Sequence, residues 1–266
     1  MTNFAILYSK KDEAGIAITD ELKKYYLPQM PVIGLQKDSI FSEDIDKDER
    51  LKNFDFILFA TRHKSKAGGK TLSLHAPGNW RNADFGGKAG KICPTSALVI
   101  KYIFQKLKDN AEKEKSDYQV TLECTHHGPL IEKPCCFIEL GSSEEQWKDK
   151  KAAAIIAKTI SDLQNFESWK EKNRKRVIPT FLIGGGHYSP AGNKVMLETN
   201  YAIGHIFPKY CLPLNESMLN EGINKTKEYI DEILLDWKGL GKFKKETIEL
   251  LDKFGLKHVR AEKVEK

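Results

Sequence analysis

The sequence predicts an α/β protein with a mixed, largely parallel central sheet flanked by helices. Apolar strand-like runs recur at residues 4–8, 54–60, 118–124, 135–140 and 177–183. Each is apolar enough to be covered on both faces, as strands of parallel sheets are. Helical periodicity fills the intervals between them, and strands alternating with helices indicate parallel pairing.

The chain enters the first strand almost at once, because Met1 is followed by Phe4-Ala-Ile-Leu-Tyr8 with no charged-then-apolar leader. A helix is expected over 14–26, where Ile16, Ile18, Leu22, Tyr25 and Tyr26 make the apolar face. Pro94 and Thr95 precede a second helix over 97–108, striped by Leu98, Ile100, Ile103, Phe104 and Leu107. Ser142 and Ser143 open a long amphipathic stretch, 144–166, with Glu145 near a capping-box position. Residues 216–235 and 245–254 read as two more helices, so 215–266 is expected to add a helical C-terminal layer. No proline- or serine-rich linker sets them apart, which favours one domain over 1–266.

A chain of 266 residues with 40% hydrophobic content can bury a sizeable core. No stretch approaches the roughly 20 consecutive apolar residues of a membrane span, and five cysteines without a CxxC pair indicate reduced thiols. A cytoplasmic protein with no membrane association and no obligate protein partner is the expectation. The net charge of +6 is compatible with a polyanionic partner without requiring one. Its densest cationic run holds Lys170, Lys172, Arg174, Lys175 and Arg176 beside Trp169. That run reads either as a phosphate-binding segment with a stacking face or as a solvated loop.

Chemistry is concentrated in Thr121-Leu-Glu-Cys-Thr-His-His-Gly-Pro129, where a strand delivers a carboxylate, a thiol and two imidazoles into a Gly-Pro turn. Such groups bind metals or move protons. Alternation along an extended strand puts Glu123 and His127 on one face and Cys124 and His126 on the other, so the two imidazoles would diverge. Cys124 paired with His126 as a nucleophile is a further reading. Glu139 lies in the otherwise apolar Phe137-Ile-Glu-Leu-Gly141 and, if buried, must be paired, protonated or bound to a cation. The alternative is that it accepts hydrogen bonds from a helix N-terminus at Ser142 and Ser143. The run 177–183 ends in Gly184, Gly185 and Gly186 followed by His187. Three glycines expose N–H donors, but the run lacks the Lys and Ser/Thr of a Walker loop. His75 and His205 also lie close to glycine or proline turns.

Taken together, Ser73-Leu-His75-Ala-Pro-Gly-Asn79, Leu122-Glu-Cys-Thr-His-His-Gly-Pro129, Phe137-Ile-Glu-Leu-Gly-Ser-Ser-Glu-Glu-Gln-Trp147 and Gly184-Gly-Gly-His-Tyr188 resemble the archaeal and plant type of D-aminoacyl-tRNA deacylase. The likeness extends to Gly204-His205-Ile206 and so spans most of the chain. It implies a phosphorylase/hydrolase-like α/β fold, zinc (one or two ions), and hydrolysis of the ester between a D-amino acid and the 3′ end of tRNA. On the matching blocks, His126, Glu139 and His187 are expected as metal ligands, with His75 or His205 completing a second ion or its surroundings. Glu123 or His127 is expected as general base, and the glycines 184–186 as oxyanion and substrate donors. The cationic run 170–176 is the expected tRNA contact. A zinc exopeptidase, a nucleoside phosphorylase or a non-catalytic RNA-binding protein are the alternatives, since fold alone does not fix function.

Overall fold

A computed structural model describes residues 1–66 and 68–265. The chain opens with β1 (Phe4–Ser9), α1 (Glu13–Leu22), β2 (Val32–Leu35), β3 (Phe56–Arg62) and β4 (Thr71–His75). A short pair, β5 (Gly78–Asn79) and β6 (Lys91–Ile92), precedes α2 (Ala97–Lys113), β7 (Gln119–Leu122) and β8 (Cys135–Leu140). The helices α3 (Glu144–Trp147), α4 (Lys150–Ser161) and α5 (Phe166–Asn173) follow. The last third holds β9 (Ile178–Ile183), α6 (Pro190–Glu198), β10 (Tyr201–Phe207), α7 (Glu216–Asn224), β11 (Glu232–Leu235), α8 (Lys244–Lys253) and β12 (Lys257–Arg260).

Two larger sheets result. The six-stranded sheet has the order β2-β1-β3-β8-β4-β7; β2, β1, β3 and β8 run parallel, while β4 is antiparallel to β8 and parallel to β7. The four-stranded sheet, β10-β9-β11-β12, is parallel throughout. The mixed, mainly parallel architecture expected from the sequence is therefore present. Strand β8 is wholly buried and β3 is buried except at Arg62, as both-face coverage requires. One apolar cluster runs from Phe4 and Ile6 through α2 to Leu182, Ile203 and Leu234, so the two sheets share a core. All five cysteines are free and buried. No helix of the described residues is long and apolar enough to cross a membrane.

Two expected helices change. The stretch 144–166 is divided because Asp149 accepts from the N–H groups of Lys151 and Ala152 and so starts α4 afresh. Ser143 makes no side-chain cap; Gln146 Oε1 instead accepts from the Ser142 N–H. Residues 216–235 are not one helix: α7 stops at Asn224, and Glu232-Ile-Leu-Leu235 pairs with β9 in the register Glu232↔Thr180 to Leu235↔Ile183. Three successive apolar residues fit a helix face and a doubly covered strand equally well, and a free edge on β9 selects the strand. The C-terminal layer thus holds α7 and α8 together with two strands.

Lys101 ties the halves together. Its buried Nζ donates to the carbonyls of Met196, Thr199 and Tyr201, each at 2.8 Å, matching three donors to three acceptors at the end of α6 and the start of β10. Burial pulls the ammonium pKa down to about 8. Replacing Lys101 by Met keeps the apolar stem and strands the three carbonyls, so urea unfolding should show a loss of about 2–4 kcal/mol. An unchanged midpoint would mean that those carbonyls find other donors.

Candidate active site

The site forms where the two sheets meet, and the central strand β8 decides its position. Glu139 of β8 lies in register between Thr61 of β3 and Ser73 of β4. His63 follows β3, His75 ends β4 and Glu123 follows β7, so three strand ends converge on this carboxylate. The second sheet supplies His187, whose carbonyl accepts from the Cys124 N–H at 2.8 Å, while Tyr188 bridges antiparallel to Glu123. The resulting pocket of about 390 Å³ is bordered by the loops after β1, β2 and β3 and by His126, His127 and His187.

Two buried carboxylates face five imidazoles there. Glu139 Oε1 accepts from Thr61 Oγ1 at 3.1 Å and lies 3.6 Å from His75 Nε2 and 3.9 Å from His127 Nε2. Its Oε2 is 3.2 Å from His63 Nδ1, and that same nitrogen is 3.1 Å from Glu123 Oε1. Glu123 Oε2 lies 2.9 Å from His187 Nε2 and 3.6 Å from His126 Nε2. Glu139 is therefore held by a web of side chains, and the helix N-terminus alternative does not apply, since α3 begins five residues later at Glu144.

The backbone of the His-His turn explains why both rings reach the cluster. His127 sits at φ 45°, in the left-handed region that side-chain-bearing residues rarely occupy. The expected extended geometry therefore fails at this residue, and the imidazoles converge instead of diverging. Ring centroids of His75, His126 and His127 lie 4.2 to 4.8 Å apart. The Gly78 N–H donates to the His127 carbonyl at 2.7 Å and anchors the turn to β5.

Charge distribution follows from burial and proximity. Burial would raise the Glu139 carboxyl pKa, but contacts with His127, His63 and His75 hold it well below the ordinary carboxylate range. For Glu123, burial also pushes upward and is outweighed by His187 and the charge of His63 and His75, leaving its pKa lowered. Burial pushes His187 down, yet its contacts with Cys124 and Glu123 raise it to about 10. Burial dominates at His126 and His127, whose pKa values fall below the usual imidazole value.

The donors fit a metal ion. Among the described residues, three sets bring their ligating atoms within 4.8 Å of one another: His63, Glu123 and Glu139; His75, His126 and His127; and Cys124, His126 and His187. Both oxygens of Glu123 and Nε2 of His75 are buried with no aligned hydrogen-bond donor or acceptor. Buried polar atoms of that kind call for a cation or water, and mixed imidazole and carboxylate donors suit zinc.

Not every expected residue joins. His205 is buried away from the cluster, with Nδ1 3.1 Å from Thr125 Oγ1 and Nε2 3.3 Å from the Lys225 carbonyl, so both ring nitrogens are engaged. The glycines turn the chain, with positive φ at Gly184 and Gly185, and pack against β11's end, where a Cβ on Gly239 would lie 2.2 Å from Gly185 N. They allow close approach of backbones and do not border the pocket. The cationic run lies at the amino end of β9, a strand of about 20 Å away from His187 at its carboxyl end. Trp169 is half-buried and packed against Tyr102 and Phe166. Cys124 Sγ is 3.6 Å from His187 Nδ1 and 2.9 Å from Tyr210 Oη, while His126 Nδ1 faces the Cys124 carbonyl, so the thiol's imidazole neighbour is His187.

Sequence reasoning missed His63, which touches both carboxylates and places Nε2 2.8 Å from Tyr188 Oη. The available signal was its position immediately after Arg62 at the end of an apolar strand.

His205 yields a test in solution. Burial depresses its pKa to about 4, so the native state stays neutral while the unfolded imidazole takes up a proton. Stability from this group is complete above the unfolded value and is lost as pH falls toward the folded one. Between about pH 7 and pH 4.5 the wild type should lose about 2–3 kcal/mol more unfolding free energy than His205→Gln. Equal losses would contradict a buried neutral imidazole.

The family model described as D-aminoacyl-tRNA deacylase matches residues 50–259. The D-aminoacyl-tRNA deacylase of Methanocaldococcus jannaschii is 34% identical over 97% of this chain and 99% of its own length. That of Thermococcus kodakarensis is 34% identical over 89% of this chain and 86% of its own length. The crystal structure of AF0625, described as a conserved protein of unknown function, superposes with a TM-score of 0.87 at 29% identity, covering 99% of this chain and 96% of the other. From the matched span and these relatives together, the chain belongs to the D-aminoacyl-tRNA deacylase family.

Proposed function

We propose that the protein hydrolyses the ester between a D-amino acid and the 3′ end of tRNA, freeing the tRNA and keeping D-residues out of translation. The observation that carries this reading is the pairing of buried Glu123 with His187, which borders an open pocket together with Glu139, His63, His126 and His127, within a chain of this family. The substrate places the activity in the cytoplasm. The two sheets act as one unit because α2 and Lys101 join them.

Glu139, His75, His126 and His127 are the proposed zinc holders, with His63 steadying Glu139 from the other side. Bound zinc supplies a Lewis acid and lowers the pKa of coordinated water to about 7. Glu123, kept ionised, takes a proton from the attacking water at an oxygen that no aligned donor occupies. His187, cationic and half-exposed at 2.9 Å from that carboxylate, gives a proton to the departing ribose oxygen as the carbon–oxygen ester bond breaks. This assigns His187 to proton transfer and His127 to metal binding, reversing the roles expected from the sequence.

D- and L-esters carry the same groups and differ in where the side chain points, so discrimination is steric. Rigid backbone stands beside the pocket. A Cβ on Gly86 would lie 2.0 Å from the Ile40 carbonyl, and one on Gly128 would lie 2.4 Å from Gly87 N. Ile40 and Phe85 from these tightly packed segments border the pocket.

The deciding experiment compares D- and L-tyrosyl-tRNA hydrolysis before chelation, after chelation and after zinc is added back. The D-ester should be cleaved at least about a hundredfold faster, and chelation should abolish that activity until zinc is restored. Glu123→Gln should lower kcat by about 10²–10⁴. Equal rates on the two esters would remove the chirality reading, and chelator-resistant turnover would remove the metal.

A further inference from the structure

We propose that the acceptor end of the RNA substrate lies across the loops after β1, β2 and β3, with the exposed Phe85 ring as the platform for a base of its 3′ end. The inference rests on the deacylase reading and adds where the nucleic acid binds.

Strands β1, β2 and β3 are parallel, so their carboxyl-end loops lie side by side at a spacing of about 4.8 Å per strand. These loops carry Lys10 and Lys11, Lys37, and Lys64, all exposed. They are joined to one another: the Lys10 N–H donates to the Leu35 carbonyl at 2.9 Å, the Arg62 N–H donates to Asp12 Oδ2 at 2.9 Å, and Arg62 Nη1 reaches the Lys11 carbonyl at 3.4 Å. The Lys10 side chain lies over Gly34, where a Cβ would come within 2.9 Å of it.

The acidic groups next to these lysines in sequence, Asp12, Glu13 and Asp38, are already engaged, while Glu43 and Asp46 farther along the loop after β2 are turned to the backbone N–H groups of Gly87, Leu130 and Glu132. Asp12 is buried and accepts from the Gly15 and Arg62 N–H groups, Asp38 lies 3.6 Å from Arg62, and Glu13 lies 3.6 Å from Lys148. None of the four lysines has an ion-pair partner among the described residues. The result is a row of uncompensated cations leading to the pocket, which Lys64 itself borders. A phosphate backbone is the complementary partner. By contrast, the denser run on α5 contains Lys170 against Glu167 and Arg174 against Glu171, at the far end of β9.

Phe85 separates a nucleic acid from other polyanions. Its ring is 65% exposed although it borders the pocket. The loop beneath is pinned: the Phe85 carbonyl accepts from Gly128 at 2.8 Å, the Gly86 carbonyl from Asn79 Nδ2 at 2.8 Å, and Glu43 from the Gly87 N–H at 2.7 Å. Gly86 and Gly87 have positive φ and press against Ile40 and Asn79, so the ring is presented on a fixed base. An open aromatic face on a rigid loop next to cations is the arrangement that stacks unpaired bases.

The test uses the full chain and deacylated tRNA, so binding is read independently of hydrolysis. Lys10→Glu with Lys37→Glu, and separately Lys11→Glu with Lys64→Glu, should weaken tRNA binding at least tenfold by fluorescence anisotropy. The slope of log affinity against log salt should shrink by about one for each lost phosphate contact. Phe85→Ala should raise the KM for D-tyrosyl-adenosine about 5- to 100-fold, with rescue by Phe85→Tyr. Arg174→Glu with Arg176→Glu should leave both quantities at wild-type values. Unaltered binding in the lysine variants, or a loss confined to the α5 variant, would overturn the placement. Failure of Phe85→Ala to change KM would remove the stacking platform. If the wild type binds tRNA as described yet cleaves no D-ester, it is the deacylase reading that falls.

Discussion

Two carboxylates buried at the meeting of two sheets are the constraint around which the rest of the molecule is arranged. A carboxylate taken out of water costs several kcal/mol unless charge and hydrogen bonds compensate it. Glu123 and Glu139 are almost wholly buried and lie close enough to share His63 Nδ1. Neither could remain ionised there alone. Five imidazoles, the Thr61 hydroxyl and the partial opening at His187 provide the compensation, drawn from the ends of β3 and β4, the turn after β7 and the loop after β9. Oxygens on Glu123 remain without aligned donors, which leaves chemical capacity behind His187 at the pocket's border.

That requirement accounts for the join between the sheets. His187 follows β9 in the second sheet, yet its partner carboxylate follows β7 in the first. The contact is productive only if the sheets keep a fixed relation, so the backbone bond from Cys124 to His187 and the Glu123–Tyr188 bridge are extended inward by a common apolar core. Lys101 adds three hydrogen bonds between α2 and the α6–β10 connection. Close-packed interiors transmit small displacements, so packing far from the pocket sets the His187–Glu123 distance.

Surface charge is divided between the two ends of the strands. At the carboxyl ends, Arg62 occupies the nearby acids and leaves the lysines uncompensated beside the pocket. At the amino ends, Lys170 and Arg174 pair with Glu167 and Glu171 of α5, and the run lies a strand's length from the pocket. Composition alone ranks the α5 run higher because it is denser, whereas the field felt by a ligand depends on what remains unpaired and where.

The sequence by itself determined the elements whose signal is local and strong. The strand β8, the stripe of α2 and the alternation of apolar strands with helices all follow from periodicity, and the blocks around His75, Glu123, Glu139 and His187 were legible as chemistry. Tertiary structure decided whatever depended on neighbours far along the chain. It made Glu232-Ile-Leu-Leu235 a strand, because β9 offered an edge. It folded His127 into the left-handed region and so brought together two rings that an extended strand would separate. It recruited His63, which no motif marked, and set His205 aside between Thr125 and Lys225. Spacing along a chain reports which residues can share a face, but only packing reports which faces meet, and this site lies between faces from two sheets.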